Sequence, residues 1–140
     1  MQHFNYDHPS VRYTGRFGRS AGMAATACGS YFEVAFRGSY IVLFFDTDFM
    51  PDQHGHVYLE LDGGARFESD IQKYIRVDAR ADGEHTLKVI YKSNVEMNQR
   101  WYQPLTGKMD FTGYDAEDAG TLAPDNRKTI EIVGDSITEG

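Results

Sequence analysis

The spacing of the apolar residues constrains the fold of this chain more than any other feature of the sequence. Apolar and polar residues alternate in several segments, and in residues 31–36 the side chains of Phe32, Val34 and Phe36 fall on one face. A period of two is typical of β-strands, whose successive side chains point to opposite faces of a sheet. Turn signals rich in glycine separate these segments at intervals of about 10 residues. The pattern predicts an all-β protein, an antiparallel β-sandwich or jelly roll, over residues of about 5–122.

The same pattern places about seven to nine short strands and allows no helix longer than about two turns. The segments with strand-forming residues are 11–17, 31–36, 40–46, 56–61, 65–69, 74–77, 84–92 and 109–116. Residues 37–40 are typical of a tight hairpin, and residues 62–64 of a turn that begins a second one. Residues 18–29 and 94–108 have no clear period and are interpreted as loops.

The predicted core follows from the apolar faces of these strands. Residues 40–46 are nearly all apolar, which is typical of a central strand covered on both faces. The side chains predicted to be buried are Phe32, Val34, Phe36, Val42, Phe44, Leu59, Leu87 and Val89.

Charge and hydropathy exclude two classes of partner. The 140 residues contain 14 Lys and Arg against 21 Asp and Glu, which gives a net charge of −7. An acidic chain repels phosphate backbones, so we expect no nucleic-acid partner. The longest apolar run is residues 40–45, far short of the ~20 residues of a membrane span, so we expect no membrane partner. An acidic surface permits neutral ligands such as sugars.

A single cysteine, Cys28, excludes an intramolecular disulfide and a zinc site built from several cysteines. We interpret Cys28 as a small buried apolar residue, the usual place of an unpaired cysteine. The first residues contain neither a basic region nor an apolar stretch, so the sequence as given predicts no signal peptide. The compartment stays open.

The composition changes near the C-terminus. Residues 116–126 are small, acidic and interrupted by proline, as in a linker, and residues 128–133 are then typical of a β-branched strand. Residues 134–140 follow with Gly, Asp and Ser, which is how an α/β unit begins. We therefore expect a sandwich domain at 1–124, and a linker with the start of a truncated second domain at 125–140. A strand without its neighbours is expected to pair with a sandwich edge or with another molecule.

The chemistry-bearing segment is residues 132–138, which read IVGDSIT. A turn from a strand into a helix exposes a serine Oγ, and the helix N-terminus offers N–H groups to a developing oxyanion. The segment resembles the first conserved block of the SGNH (GDSL) hydrolases. The resemblance implies that Ser136 is the nucleophile of an esterase and that its backbone N–H helps to form the oxyanion hole. The alternative is a turn serine that caps a helix.

A longer series of segments resembles carbohydrate esterase family 2. Residues 11–17 (VRYTGRF), the Phe-rich 32–45, the LDG turn at 61–63 and 83–89 (GEHTLKV) precede the serine block in the order typical of that family. The resemblance implies a jelly roll packed on an SGNH domain that removes acetyl groups from polysaccharides such as xylan or glucomannan. The partner it implies is an acetylated polysaccharide or oligosaccharide, and no cofactor is expected.

The family's catalytic histidine belongs near the end of the hydrolase domain, outside residues 1–140. These residues alone are therefore expected to be inactive, because a serine hydroxyl without a base is a poor nucleophile. The alternative function is a non-catalytic jelly roll that binds a glycan or a protein.

Two aromatic residues, Trp101 and Tyr102, lie in the aperiodic segment and are flanked by Arg100 and Gln103. Aromatic side chains in a loop are candidates for stacking on a sugar ring. They can equally pack beneath the loop, and the sequence leaves both interpretations open.

Two sets of possible metal ligands are incomplete. His54 and His56 share one face of a predicted strand, with no third ligand evident. Asp46, Asp48 and Asp52 suggest calcium, but they lack the glycine of an EF-hand loop. In both cases a solvated loop is the alternative, and we predict no metal site.

Overall fold

The computed structural model describes residues 1–49, 55–93, 105–128 and 130. These residues form twelve β-strands and no helix, which confirms the predicted all-β sandwich. None of the described residues belongs to a helix that could cross a lipid bilayer. The strands are β1 Gln2–Asn5, β2 Val11–Thr14, β3 Gly18–Arg19, β4 Met23–Ala25, β5 Tyr31–Arg37, β6 Tyr40–Phe45, β7 His56–Leu61, β8 Arg66–Asp70, β9 Tyr74–Asp78, β10 Glu84–Ser93, β11 Met109–Ala116 and β12 Asp118–Ala119.

The strands form two six-stranded sheets with antiparallel pairing. Sheet A has the order β3-β4-β11-β6-β9, and β1 also pairs with β11. Sheet B has the order β12-β5-β10-β7-β8, and β2 also pairs with β5. The central strands of the two sheets therefore come from distant parts of the chain.

One apolar core fills the space between the sheets. Phe32 stacks on Phe111 with ring centroids 4.2 Å apart, and its ring centroid lies 6.5 Å from that of Phe45. Six of the eight side chains predicted to be buried are fully buried: Phe32, Val34, Phe36, Leu59, Leu87 and Val89. Alternation identified these correctly because each lies on the single apolar face of its strand.

The other two predictions for the core, Val42 and Phe44, are wrong. On β6 the buried side chains are Ile41, Leu43 and Phe45, whereas Val42 and Phe44 are only half-buried. A run that is apolar at every position has no alternation to indicate which set of side chains faces inward. The apolar outer face of β6 is consequently only partly covered by the described residues.

The predicted hairpin at residues 37–40 is also wrong. Strands β5 and β6 lie in different sheets, so Gly38 and Ser39 cross from sheet B to sheet A. Gly38 has a φ of +128°, and a Cβ there would fall 2.9 Å from the Cβ of Glu117. The sequence shows that the chain turns here, but not whether the two arms pair.

Short strands occur where we expected loops or a linker. β3 and β4 lie within the predicted loop at 18–29, and β12 lies within the predicted linker. Gly22, next to β4, approaches the backbone of Phe111 so closely that a side chain would overlap it. These segments escape a pattern search because two or three small residues are too few to show a period.

The predicted turn at residues 62–64 is present and joins β7 to β8. Asp62 and Gly63 have φ values of +51° and +69°, and the Gly64 N–H donates to the Leu61 carbonyl over 2.8 Å. Consecutive positive φ values are those of a type I′ hairpin turn. A positive φ suits aspartate better than most non-glycine residues.

His85 connects this turn to the start of β10. Its Nδ1 lies 2.6 Å from a carboxylate oxygen of Asp62, and its Nε2 lies 2.8 Å from the carbonyl oxygen of Ala81. The other Asp62 oxygen accepts the Thr86 N–H over 2.8 Å. Both ring nitrogens face acceptors, so the protonated imidazole, which donates from both, fits this position best.

We therefore expect the imidazole of His85 to titrate above its ordinary pKa of 6.5, chiefly because of the hydrogen bond to Asp62. A raised folded-state pKa stabilises the fold fully below pH 6.5, and that contribution disappears as the pH rises through the raised value. Asp62→Asn should lower the pKa of His85, as measured by NMR titration of its ring protons. Asp62→Asn should also lower the free energy of unfolding in urea. This decrease should be largest at acidic pH and become smaller toward neutral pH. Titration of wild-type His85 below pH 6.5 would contradict this account.

Candidate functional site

The three residues proposed from sequence to carry function lie outside the described residues. They are Trp101, Tyr102 and Ser136. Their roles stay predictions. The structure describes residues that lie near them in the sequence. In the sequence, Trp101 and Tyr102 come just before Leu105, and Ser136 follows Ile130 by six residues.

The possible metal ligands that are described make other contacts. His56 lies with Nδ1 2.8 Å from Glu68 and Nε2 3.0 Å from Asp70, so carboxylates occupy both ring nitrogens. The Asp46 carboxylate accepts the N–H of Asp48 over 3.1 Å in a local turn. Within 1–49, 55–93, 105–128 and 130, no three His, Cys, Asp or Glu side chains gather as metal ligands. His54 and Asp52 lie outside these ranges.

The expected burial of Cys28 is wrong, because its side chain is exposed. Cys28 lies in the turn between β4 and β5, where the Ser30 N–H donates to the Ala27 carbonyl over 3.3 Å. The next residue, Gly29, has a φ of +90°. A tight turn at the end of the sandwich leaves its central side chains in solvent, whatever their hydropathy.

The C-terminal segment is fastened along one edge of sheet B. We call residues 120–127 the strap. The Gly120 N–H donates to the Ala35 carbonyl over 2.9 Å, and Arg12 donates to the Ala123 carbonyl over 2.6 Å. Arg127 donates to the hydroxyl of Tyr31 over 3.2 Å. The strap therefore follows β5 and β2 instead of leaving the sandwich at once.

Each of the two arginines that contact the strap or belong to it also pairs with a carboxylate. Arg12 donates twice to Glu33, over 3.0 and 2.8 Å. The Arg127 guanidinium binds both oxygens of Asp125, each over 3.0 Å, and holds the pKa of that carboxyl well below its usual range. A planar guanidinium that uses two donors fixes direction as well as distance. The pairs thus hold residues 123–127 beside sheet B.

A groove of about 530 Å³ runs between the strap and strand β2. Its lining residues include Arg12, Tyr13, Tyr31, Lys128 and Ile130. Burial raises the pKa of the Tyr13 hydroxyl, which stays protonated and donates to the Tyr6 carbonyl over 2.5 Å. Ile130 is 85% exposed. The pairing of the tail with other groups stays a prediction.

A second cavity, of about 400 Å³, lies beside strands β3 and β4 and is also bordered by Leu105 and Lys108. The Lys108 ammonium donates to the Ser20 hydroxyl over 2.7 Å and lies 3.4 Å from the Asp110 carboxylate. Asp110 is fully buried and also accepts the Gly22 N–H over 2.8 Å. The lining residues include Arg16, Phe17, Arg19, Ser20, Leu105 and Lys108.

Sequence reasoning missed this cavity, although one signal was present. Asp110 stands between Met109 and Phe111 at the start of β11, and a buried carboxylate there requires compensating donors. Hydrogen-bond donors beside an apolar wall can bind a neutral polar ligand such as a sugar. Leu105, which lines this cavity, follows Tyr102 by three residues in the sequence.

A serine–histidine hydrogen bond occurs inside the sandwich but cannot serve as a catalytic pair. Ser10 Oγ lies 2.7 Å from Nδ1 of His8 and 2.6 Å from the hydroxyl of Tyr114. Ser10 is buried, so no substrate reaches its oxygen. The chain of three polar groups satisfies buried hydrogen-bonding capacity and ties β11 to the N-terminal segment.

Comparison with known proteins finds the same β-sandwich fold in solved structures. No family model matches the chain, and no curated protein matches it. The chain is similar to the solved structure of a family two carbohydrate esterase from Cellvibrio japonicus, with 11% identity and a TM-score of 0.66 over 90% of this chain. The match covers 37% of that esterase, so the chain spans about a third of its length.

Two further structures extend the comparison. A family two carbohydrate esterase from Clostridium thermocellum, solved in complex with cellohexaose, has 20% identity and a TM-score of 0.58 over 82% of this chain and 34% of that one. The CBM36-1 domain of a xylanase from the hindgut metagenome of Trinervitermes trinervoides has 11% identity and a TM-score of 0.50. That match covers 81% of this chain and 93% of the domain. The shared feature is the β-sandwich fold.

Proposed function

We propose that this chain belongs to a serine esterase that deacetylates carbohydrates. Residues 1–124 are the accessory jelly-roll domain, and residues 125–140 are the linker and the beginning of an SGNH hydrolase domain. The observation that carries the proposal is the Gly134-Asp135-Ser136 run, which follows a β-branched segment directly after the sandwich. The fold likeness to family two carbohydrate esterases supports it.

In this proposal Ser136 Oγ attacks the carbonyl carbon of an acetyl ester on a sugar. The carbonyl oxygen becomes an oxyanion that the backbone N–H of Ser136 helps to stabilise. Collapse expels the sugar hydroxyl and leaves an acetyl-serine, which water then hydrolyses to acetate and free serine. A histidine from a later part of the hydrolase domain takes the serine proton and returns it to the leaving oxygen.

Each described histidine makes a hydrogen bond within the sandwich, and the one serine among these partners, Ser10, is buried, so the proposal takes its base from the later part of the hydrolase domain. The pairs are His3 with Asp115, His8 with Ser10, His56 with Glu68 and Asp70, and His85 with Asp62 and Ala81. The strap also supports the proposal, because the contacts of Arg12 and Arg127 give residue 128 a fixed starting point beside sheet B. The substrate is an acetylated polysaccharide or oligosaccharide.

Acetate release tests the proposal. A polypeptide that continues past Gly140 through the whole hydrolase domain should release acetate from acetylated xylan or glucomannan and from p-nitrophenyl acetate. Residues 1–140 alone should release none above the buffer rate. Absence of acetate release by the longer polypeptide would overturn the proposal, and so would hydrolysis by residues 1–140 alone.

The second candidate is a non-catalytic module that binds a glycan or a protein. The likeness to the CBM36-1 domain favours it, because the match covers nearly all of that domain. This candidate predicts glycan binding by residues 1–140 and no acetate release by any longer polypeptide. The acetate assay and a binding titration therefore separate the two.

A further inference from the structure

Strand β6 carries apolar side chains on both faces, and only one face is covered by the sandwich. Ile41, Leu43 and Phe45 lie in the core, whereas Tyr40, Val42 and Phe44 point to the outer face of sheet A and are half-buried. A strand with one solvated face normally carries polar residues there. The outer face of β6 is therefore suited to a ligand that covers it.

Aromatic rings line up across this outer face. Phe44 pairs in register with Tyr74 on β9, and the Tyr74 side chain is 64% exposed. On the other side the His3 ring centroid lies 5.7 Å from that of Phe44. Gly113 makes this approach possible, since a Cβ there would fall 3.1 Å from Nε2 of His3. We call His3, Phe44 and Tyr74 the ring row.

Hydrogen-bonding groups flank the ring row. Arg76 lies 3.8 Å above the ring of Tyr40 and donates to the Asp78 carboxylate over 2.7 Å. On the opposite side the Asp115 carboxylate lies 2.6 Å from Nδ1 of His3. Arg76 and His3 each have a carboxylate partner. Flat rings beside paired polar groups match a sugar, which has apolar C–H faces and hydroxyls at its rim.

The strap and the ring row lie on different sheets. The strap is fastened to β2 and β5 of sheet B, and the ring row lies on the outer face of sheet A. The His3 and Phe44 ring centroids lie 5.7 Å apart, and Tyr74 lies one strand spacing of about 5 Å further on, so the row is long enough for about two sugar rings.

We propose that the ring row of sheet A binds a neutral polysaccharide chain by stacking sugar rings on Phe44 and Tyr74. The proposal rests on the assignment of the protein to carbohydrate chemistry, and it adds a binding surface separate from the proposed nucleophile. Its role is to hold the polymer while acetyl groups are removed at Ser136.

Binding of residues 1–140 to cellohexaose, xylohexaose and mannohexaose, measured by calorimetry, tests the proposal. Tyr74→Ala and Phe44→Ala should each weaken binding by about tenfold or more, because each removes one stacking surface. The matched control is Tyr58→Ala, a half-buried tyrosine on β7 in sheet B, which should bind like wild type. Thermal unfolding checks that each variant is folded, and Tyr74→Ala should unfold like wild type because its side chain is mostly exposed.

Three results would overturn the proposal: absence of binding to every oligosaccharide, equal loss in the Tyr58→Ala control, or unchanged binding in Tyr74→Ala. Light scattering that shows a dimer lost in Tyr74→Ala, without oligosaccharide binding, would assign the face to a second copy of the chain. The p-nitrophenyl acetate rate of the longer polypeptide should not change in Tyr74→Ala. Binding without any esterase activity would refute the proposed function and retain the ring row, whereas activity without binding would refute only the ring row.

Discussion

Replacement of Phe32 by alanine is expected to lower the free energy of unfolding by about 3–5 kcal/mol. The ring is fully buried between the sheets, stacked on Phe111 at 4.2 Å and near Tyr13 at 5.9 Å. Its removal takes apolar surface out of the core and leaves a cavity that strands from both sheets would have to close. Urea unfolding of residues 1–140, monitored by far-UV circular dichroism, measures the change in the free energy of unfolding.

The matched control is Phe67→Ala on the edge strand β8. The Phe67 side chain is 46% exposed, so its truncation should change the free energy of unfolding by about 1 kcal/mol or less. A loss below about 1 kcal/mol for Phe32→Ala would mean that Phe32 does not lie in a packed core. A similar large loss in both variants would mean that exposure does not distinguish the two sites.

The strands that sequence analysis located are those with enough residues to show alternation. β5, β7 and β10 each carry buried apolar side chains at every second position, such as Val57 and Leu59 on β7. The short strands β3, β4 and β12 contain two or three residues each, and no period can be read from so few. Length and alternation together therefore decided which elements were predictable.

The sequence predicts the positions of strands better than it predicts which strands pair. A glycine at a positive φ marks a turn, but Gly38 connects two sheets whereas Gly63 closes a hairpin. The difference depends on which distant strands flank each arm, and those partners are not local in sequence. The wrong face predicted for β6 has a related cause, since only the fold determines which of its two apolar faces meets the core.

In the candidate site, too, local features could be predicted from the sequence and contacts between distant residues could not. The Gly-Asp-Ser run is a local pattern, so Ser136 could be proposed from residues 132–138 alone. The contact of Arg12 with Ala123 joins residues 111 apart, and that of Lys108 with Ser20 joins residues 88 apart. Such pairs exist only after folding, and no local pattern indicates them.

In a polypeptide that contains the whole hydrolase domain, Ser136→Ala is expected to abolish acetate release. Loss of the nucleophile in serine hydrolases lowers turnover by on the order of 10⁶-fold, and the oxyanion hole and substrate binding account for the residual rate. Alanine removes only one oxygen atom, so the thermal unfolding of the variant should match that of wild type. Acetate release from acetylated xylan and from p-nitrophenyl acetate measures the loss.

A matched serine distinguishes loss of the nucleophile from a general effect of mutation. Ser39→Ala changes an exposed serine in the crossover between β5 and β6 and should retain the wild-type rate. A serine-directed phosphonate should add to the wild-type polypeptide and to Ser39→Ala, but not to Ser136→Ala, as measured by intact mass. Retention of more than about a tenth of the rate in Ser136→Ala would show that Oγ of Ser136 is not the attacking atom. Ser136 would then be a turn residue, and the esterase mechanism would require a different nucleophile.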